Sequence, residues 1–457
     1  MFLHTLKSEG LAHLSYMLGA GGEAAVIDPR RDVDAYLELA EREGVRIAYV
    51  FETHRNEDYV IGSVDLARRT GARILHGRDP DEPFRYGEDV REGECFKLGD
   101  LRLQVLETPG HTLNSISLVL FDEATGEAPV GVFTGDALFI GDVGRTDFYP
   151  GRAREVAGLL YDSLHNKLLP LGDHVILYPA HGAGSVCGSG MADREFSTLG
   201  YERRHNPRLQ LDRDAFIAFK SQEHHYKPPY FDQMERVNRD GDAPLVELPL
   251  PAPLGVDAFA EAQGEGMVVL DVRSPEAIAA AAVPGSLGIP LDMIPAFVGW
   301  YVPYDKDIGL VVEEAAQLEP AVRHLVRLGY RRVSAWLRGG MTAWATSGRP
   351  YDTIPAVHAQ EIKARTEAKA DYTLLDVRGV DEVAQGYVPG STQLYVGELG
   401  RRLEEVPDAR PITTFCGSGQ RAIIAASVLR RAGYQNVEVA LGSMAACRAI
   451  GCPIIGG

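Results

Sequence analysis

The sequence predicts an α/β chain, built as one layered N-terminal domain followed by two small α/β modules in tandem. Three observations predict it. From Ala24 onward, short apolar runs (AAVID, RIAYVFETH, RLQVLETPGH, VGVFTGD) alternate with helical patterns such as 33–43 and 64–70. The stretch 244–253 (PLVELPLPAP) then carries four prolines, which neither continue a helix nor occupy a central strand. Beyond it the chain repeats itself with a period of about 105 residues, self-similarity that points to duplicated modules. Leu270-Asp271-Val272-Arg273 recurs as Leu375-Asp376-Val377-Arg378, and Val283-Pro284-Gly285-Ser286 recurs as Val388-Pro389-Gly390-Ser391. Domains are therefore expected over 1–243, 254–350 and 356–457, the last two linked through Ser347-Gly348-Arg349-Pro350.

Composition narrows the class. At 45% hydrophobic and 24% charged over 457 residues, each domain can bury a real core. A net charge of -18 opposes attraction to phosphate backbones and anionic lipid, so neither nucleic acid nor membrane is expected as a partner. The opening segment MFLHTLKSEGLAHLSYML interrupts its apolar residues with His4, Lys7, Glu9 and His13, unlike the unbroken apolar core of a signal peptide. The thinly scattered cysteines, Cys95, Cys187, Cys416, Cys447 and Cys452, fit a reducing compartment better than a disulfide framework. A cytoplasmic location is the expectation.

Three apolar runs of the first domain, 46–51, 101–106 and 130–133, lead into His54, His111 and Asp136. A single loop histidine is more often a satisfied structural residue than a ligand, but three matched strand ends shift the balance to metal. If these strands are neighbours in one sheet, the side chains meet at its edge, where strand-to-loop junctions commonly build sites. Two imidazoles and one carboxylate leave coordination positions open and suit non-haem Fe(II).

The motifs THRNED, TPGHT, TGDALF and PAHGAGS resemble the metal motifs of the metallo-β-lactamase superfamily. Gly144-Arg145-Thr146-Asp147-Phe148 resembles a hallmark of its persulfide dioxygenase branch. The resemblance implies an αββα sandwich with one Fe(II) per chain on His54, His111 and Asp136. The implied reaction is oxidation of a persulfide of glutathione, coenzyme A or a similar thiol by O2 to sulfite and the thiol. The superfamily's usual H-x-H-x-D-H reads here His54-Arg55-Asn56-Glu57-Asp58-Tyr59. Asn56 and Tyr59 thus stand where a two-zinc hydrolase would need histidines. Asp58, Tyr59 and His181 are expected around the metal as supporting groups. Arg145 is expected to anchor an anionic substrate or to pair with Asp147, and Cys187 to line the pocket or to be an inert buried thiol.

In the last module, Cys416-Gly417-Ser418-Gly419-Gln420-Arg421 precedes an apolar helical run, 422–432. A cysteine opening a glycine-rich loop at a helix N-terminus is poised as a thiolate, because loop N–H groups and the helix dipole stabilise its charge. The loop resembles the rhodanese active loop C-x-x-G-x-R, which implies an α/β rhodanese-like domain with Cys416 and Arg421 in catalytic roles. Aligning the first module on the second puts Val312 opposite Cys416 and Gln317 opposite Arg421, with Glu313 and Glu314 in the loop. Two carboxylates repel an anion. This degenerate rhodanese-like module reads as a scaffold that supports domain packing or self-association, and a homo-oligomer is expected.

The combined expectation is an Fe(II)-dependent persulfide dioxygenase coupled to sulfur transfer through Cys416, which forms thiosulfate from sulfite or supplies the persulfide. Two alternatives stand beside it. One is a two-zinc thioester hydrolase of the hydroxyacylglutathione type. The other is a sulfur carrier or sensor whose first domain no longer turns over.

Overall fold

The structure is a computed structural model that describes residues 1–185, 190–407 and 411–456. Two compact units emerge, one comprising Met1–Glu247 with Arg327–Gly329, the other Leu248–Val326 with Tyr330–Gly457. No described helix is long and apolar enough to cross a membrane.

The first unit is a pair of six-stranded sheets. The opening sheet holds β1 (Phe2–Ser8), β2 (His13–Ala20), β3 (Glu23–Ile27), β4 (Arg46–Glu52), β5 (Arg73–Gly77) and β6 (Glu88–Val90) in sequence order. The second holds β7 (Cys95–Leu98), β8 (Leu101–Glu107), β9 (Ile116–Asp122), β10 (Pro129–Gly135), β11 (Ile176–Pro179) and β12 (Ser197–Thr198), also in order. Because successive strand residues point to opposite faces, the strands sort their apolar residues between layers. Ala25 and Ile27 of β3 and Leu118 and Leu120 of β9 enter the core between the sheets. Ala24 and Val26 turn outward to Tyr36, Ala40 and Leu66 of helices Asp34–Glu43 and Ser63–Thr70. Val119 and Phe121 turn outward to Leu160 and Phe216 of helices Ala153–Ser163 and Arg213–Lys220. The result is the αββα sandwich.

The second unit carries two parallel sheets. One has β13 (Ala252–Leu254), β14 (Val268–Asp271), β15 (Leu287–Gly288), β16 (Ile308–Val311) and β17 (Val333–Leu337) in the order β13-β17-β16-β14-β15. The other has β18 (Thr373–Asp376), β19 (Thr392–Gln393), β20 (Ile412–Phe415) and β21 (Val437–Val439) in the order β19-β18-β20-β21. Strands β16, β18 and β20 are buried along their whole length, as central parallel strands covered on both faces require.

The repeated LDVR has a physical cause. Asp271 ends β14 and takes both arms of Arg273 at 2.8 and 2.6 Å, while Arg273 also donates to the carbonyl of Ala281. Asp376 ends β18 and does the same with Arg378 at 2.9 and 2.6 Å, with Arg378 reaching the carbonyl of Gly386. In each module a buried bidentate pair clamps a strand end to the segment before the VPGS turn. Between the modules, Trp300 packs where a Cβ on Gly397 would stand, at 2.6 Å, and the Tyr301 hydroxyl donates to the carbonyl of Val396. Trp344 stays in its own module's core and donates to the carbonyl of Pro350.

Candidate metal centre and thiol loop

The three expected ligands do converge, though not along one sheet edge. His54 follows β4 of the first sheet, whereas His111 and Asp136 follow β8 and β10 of the second, with β9 between them. The expectation of neighbouring strands is therefore corrected. The loops meet across the end of the sandwich, where two sheets about 10 Å apart bring their connections together. One ligand atom each from His54, His111 and Asp136 lies within 4.8 Å of the others. All three side chains are buried.

Neighbouring groups aim each donor. The Thr53 hydroxyl donates to Asp28 Oδ2 at 2.7 Å and so accepts from His54 Nδ1 at 2.9 Å, which leaves the lone pair on His54 Nε2. His111 Nδ1 donates to the Arg145 carbonyl at 3.0 Å, leaving its Nε2 lone pair. His181 Nδ1 takes Asp136 Oδ1 at 2.7 Å and its Nε2 faces Asp58 Oδ2 at 3.0 Å, so the second Asp136 oxygen turns to the histidines. His111 Nε2 stands 3.5 Å and His54 Nε2 3.9 Å from Asp136 Oδ2. These three atoms are buried and have no hydrogen-bond partner among the described residues. Buried polar atoms are ordinarily satisfied, and three acceptors facing one point are satisfied by a cation. The residues fit a single metal ion.

The electrostatics agree. Burial pushes the His54 pKa down to about 4, keeping the imidazole neutral. Burial opposes charge on Asp136, but His181 and His54 outweigh it and hold the carboxyl far below the usual range. Burial likewise opposes charge on His111, and the carboxylates of Glu57 and Asp136 overcome it to raise its pKa. The pocket calls for positive charge where the three donors meet.

The Gly144–Phe148 segment explains itself in this setting. Gly144 leaves no room for a side chain, since a Cβ would lie 2.0 Å from the Asp136 carbonyl and 3.0 Å from His111 Nδ1. Gly135 has φ +54° and a Cβ there would meet Thr53 Oγ1 at 2.5 Å, so only glycine lets the Asp136 turn approach His54. Arg145 is 1% exposed and engages Asp147 through two 2.7 Å bonds. Of its two expected roles, the structure shows the pairing with Asp147, and Arg145 serves the centre through its carbonyl. Phe148 stands edge-on to His111, ring centres 5.2 Å apart.

Asn56 caps the His54 carbonyl at 3.3 Å and Tyr59 gives its hydroxyl to His13 at 2.9 Å. Asn238, on helix Phe231–Asp240, donates to the carbonyls of both Asn56 and Tyr59 at 2.7 Å. Sequence reasoning missed His13, Asp28, Thr53, Glu57 and Asn238. Thr53 and Glu57 lie beside or inside the motif and were within reach; the other three carry no spacing signal. Cys187 lies outside the described residues.

In the second unit, Cys416 follows β20 and is buried. The Gly419 N–H donates to its sulfur at 3.1 Å, the Cys416 N–H donates to Ser443 Oγ, and helix Gln420–Arg431 begins one residue later. Gly419 has φ +104° and a Cβ there would lie 2.0 Å from the Leu441 carbonyl. Arg421 pairs with both Glu382 oxygens at 2.6 and 2.7 Å. In the first module, β16 ends at Val311 opposite Asp271, as β20 ends at Phe415 opposite Asp376, so Val312 holds the place of Cys416. Gln317 Oε1 accepts the N–H groups of Glu313 and Glu314 at 2.8 and 3.3 Å. The loop's N–H groups are thereby spent internally.

The sequence model of the metallo-β-lactamase superfamily matches residues 9–181. That of the rhodanese-like domain matches residues 358–449. The mitochondrial persulfide dioxygenase ETHE1 of Bos taurus is 31% identical over 226 residues, covering 48% of this chain and 80% of that protein. The chain belongs to the metallo-β-lactamase superfamily. A hydroxyacylglutathione hydrolase of Anaeromyxobacter dehalogenans is 32% identical to the lactamase-like part, covering 46% of the chain and 86% of the relative. A metallo-beta-lactamase structure from Staphylococcus aureus subsp. aureus COL aligns with TM-score 0.67 at 29% identity, covering 74% of this chain and 99% of that one. Persulfide dioxygenase homology in the lactamase-like half and a rhodanese-like domain behind it place the chain in sulfur metabolism.

Proposed function

We propose that this chain oxidises low-molecular-weight persulfides with O2, using one Fe(II) held by His54, His111 and Asp136, and transfers sulfur at Cys416. The observation that carries the reading is the set of three buried, unpartnered donor atoms at one point, in a chain with persulfide dioxygenase relatives. When bound there, Fe(II) supplies electrons and open coordination positions for a reaction between a soft sulfur and O2. The chain's own residues prepare the place. Thr53 and the Arg145 carbonyl fix the two imidazole tautomers. His181 holds the Asp136 carboxylate, and Phe148 covers His111 from one side. One O2 and one water per persulfide yield sulfite, the thiol and two protons.

At Cys416 the Gly419 N–H donates to the sulfur at the head of helix Gln420–Arg431. A Cys416 persulfide can give its outer sulfur to sulfite, forming thiosulfate and restoring the thiol. The first module, with Val312 in place of cysteine, serves as a scaffold for the second through Trp300 and Tyr301.

Hydroxyacylglutathione hydrolases among the relatives raise thioester hydrolysis as the second reading. It needs a second metal, and the Tyr59 hydroxyl is instead engaged by His13. Purification without oxygen, metal analysis, and parallel assays with glutathione persulfide and a glutathione thioester separate the two. Iron with persulfide-dependent sulfite formation supports the proposal; two zinc ions per chain with thioester cleavage refute it.

A further inference from the structure

Arg55 directly follows the ligand His54 and is 8% exposed. Its Nη1 donates to the Glu82 carbonyl at 3.3 Å and stands 3.4 Å from Asp79 Oδ2 and 3.6 Å from Glu82 Oε2. Its Nε and Nη2 donate to no group among the described residues, and neither atom is sealed inside the protein. Buried donors are ordinarily satisfied. Arg55 lines a cavity of about 250 Å³ with Glu57, Thr112, Phe148 and Glu235. That cavity opens beside a metal ligand, since Glu57 Oε1 stands 3.1 Å from His111 Nε2 and Phe148 lies edge-on to the His111 ring. A guanidinium with two free donor nitrogens is shaped to take a carboxylate.

Glu235, on helix Phe231–Asp240, places the opposite charge on the same wall. It is half-buried and forms no hydrogen bond or ion pair among the described residues, Arg55 included. The carboxylates nearer Arg55 are engaged. Asp79 accepts the N–H groups of Asp81 and Glu82 and the side-chain amide of Asn114, while Asp81 pairs with Arg152 and Glu82 with Arg239. One cation and one anion therefore share a wall without meeting, which is complementary to a ligand that carries both charges. The surplus of carboxylates along the cavity repels polyanions.

We propose that Arg55 and Glu235 select the carrier of the persulfide, Arg55 taking a carboxylate and Glu235 an ammonium. The centre then prefers a persulfide on an α-amino acid to one on a phosphorylated carrier such as coenzyme A. Resting on the persulfide reading above, this assignment adds specificity and no step to the reaction. Neither residue belongs to the ligand set.

Persulfides of four thiols read the two charges separately. Cysteine carries both, cysteamine lacks the carboxylate, 3-mercaptopropionate lacks the ammonium, and coenzyme A brings phosphates. The iron-loaded full-length protein is expected to show a kcat/KM for cysteine persulfide at least about 10-fold above that for coenzyme A persulfide. Arg55→Gln is expected to raise KM roughly 10–100-fold, the worth of a charged hydrogen bond, for the persulfides of cysteine and 3-mercaptopropionate and to leave that of cysteamine unchanged. Glu235→Gln should do the same for cysteine and cysteamine and spare 3-mercaptopropionate. Equal loss on every carrier, which marks a structural role, overturns the assignment, as does no change on any. A native protein indifferent to cysteine against coenzyme A overturns it too. If Arg55→Gln does not fold, the Glu235→Gln pattern decides. Failure of the parent reading looks different, for then no persulfide is oxidised. Calorimetric binding of S-methylcysteine, which does not turn over, decides in that event: weakening by both substitutions supports the assignment, and binding that either leaves unchanged overturns it.

Discussion

The lactamase-like centre and the Cys416 loop are both buried and polar, yet they present polar groups of opposite kind. At the centre, His54 Nε2, His111 Nε2 and Asp136 Oδ2 face one another as acceptors without a donor. At the loop, a backbone N–H is aimed at a sulfur. The first arrangement calls for a cation, and in the second the N–H is already given to the Cys416 sulfur. Buried polar groups are expensive to leave unpaired, so the sign of the unmet group identifies the class of ligand before any reaction is considered. The Gln317 loop of the first module supplies the contrast: there a side-chain carbonyl accepts the N–H groups of Glu313 and Glu314.

Two single substitutions should exchange the two losses. His111→Ala is expected to abolish iron retention and reduce O2 uptake to background while sulfur transfer from thiosulfate stays within about twofold, given that sites with no shared partner behave independently. Cys416→Ser is expected to do the reverse. An oxygen electrode and a thiocyanate assay read both, and a variant that loses both activities with its fold intact would show that the two sites do not act separately.

A smaller effect sharpens the metal half. Thr53→Val removes the hydroxyl that orients His54 and leaves the ligands in place. Iron affinity should fall about 10–100-fold, the usual cost of losing such a supporting contact, and a chelator competition measures it. Unchanged affinity would mean that packing alone aims His54.

The smallest effect concerns Glu382 and Arg421. Burial opposes the Glu382 charge, and Arg421 outweighs it to lower the carboxyl pKa from 4.5. The pair therefore adds stability above that value, and the contribution is lost as pH falls through the lowered pKa. Since Glu382 is partly exposed, the gain is modest. Glu382→Gln should flatten the acid limb of the stability curve slightly and raise the thiosulfate KM a few-fold with kcat little changed. A steeper acid limb would contradict the pairing.

Much of this was legible in the residues. The predicted strand 46–51 is β4, 101–106 is β8 and 130–133 is β10, each within a residue or two of its end, because alternating apolar residues bounded by glycine and proline leave few options. His54, His111 and Asp136 were legible for the same reason, each closing such a run. Which sheet each strand joins was not, since a strand's own pattern says which face is buried and nothing about its neighbours. His13 reaches Tyr59 from a strand far earlier in the chain, and Asp28 reaches Thr53 across the first sheet. Contacts of that kind depend on tertiary register alone. The fate of Gln317 was half legible: its place opposite Arg421 could be counted, but its turn back onto the loop could not.

Whether the three donors hold iron for a reaction with O2 is read from O2 uptake of the protein loaded with Fe(II) without oxygen and then given glutathione persulfide. Uptake matched by sulfite formation, absent from the zinc-loaded protein and from His111→Ala, is the predicted result. Persulfide left intact by the iron-loaded protein, with no O2 consumed, would contradict it.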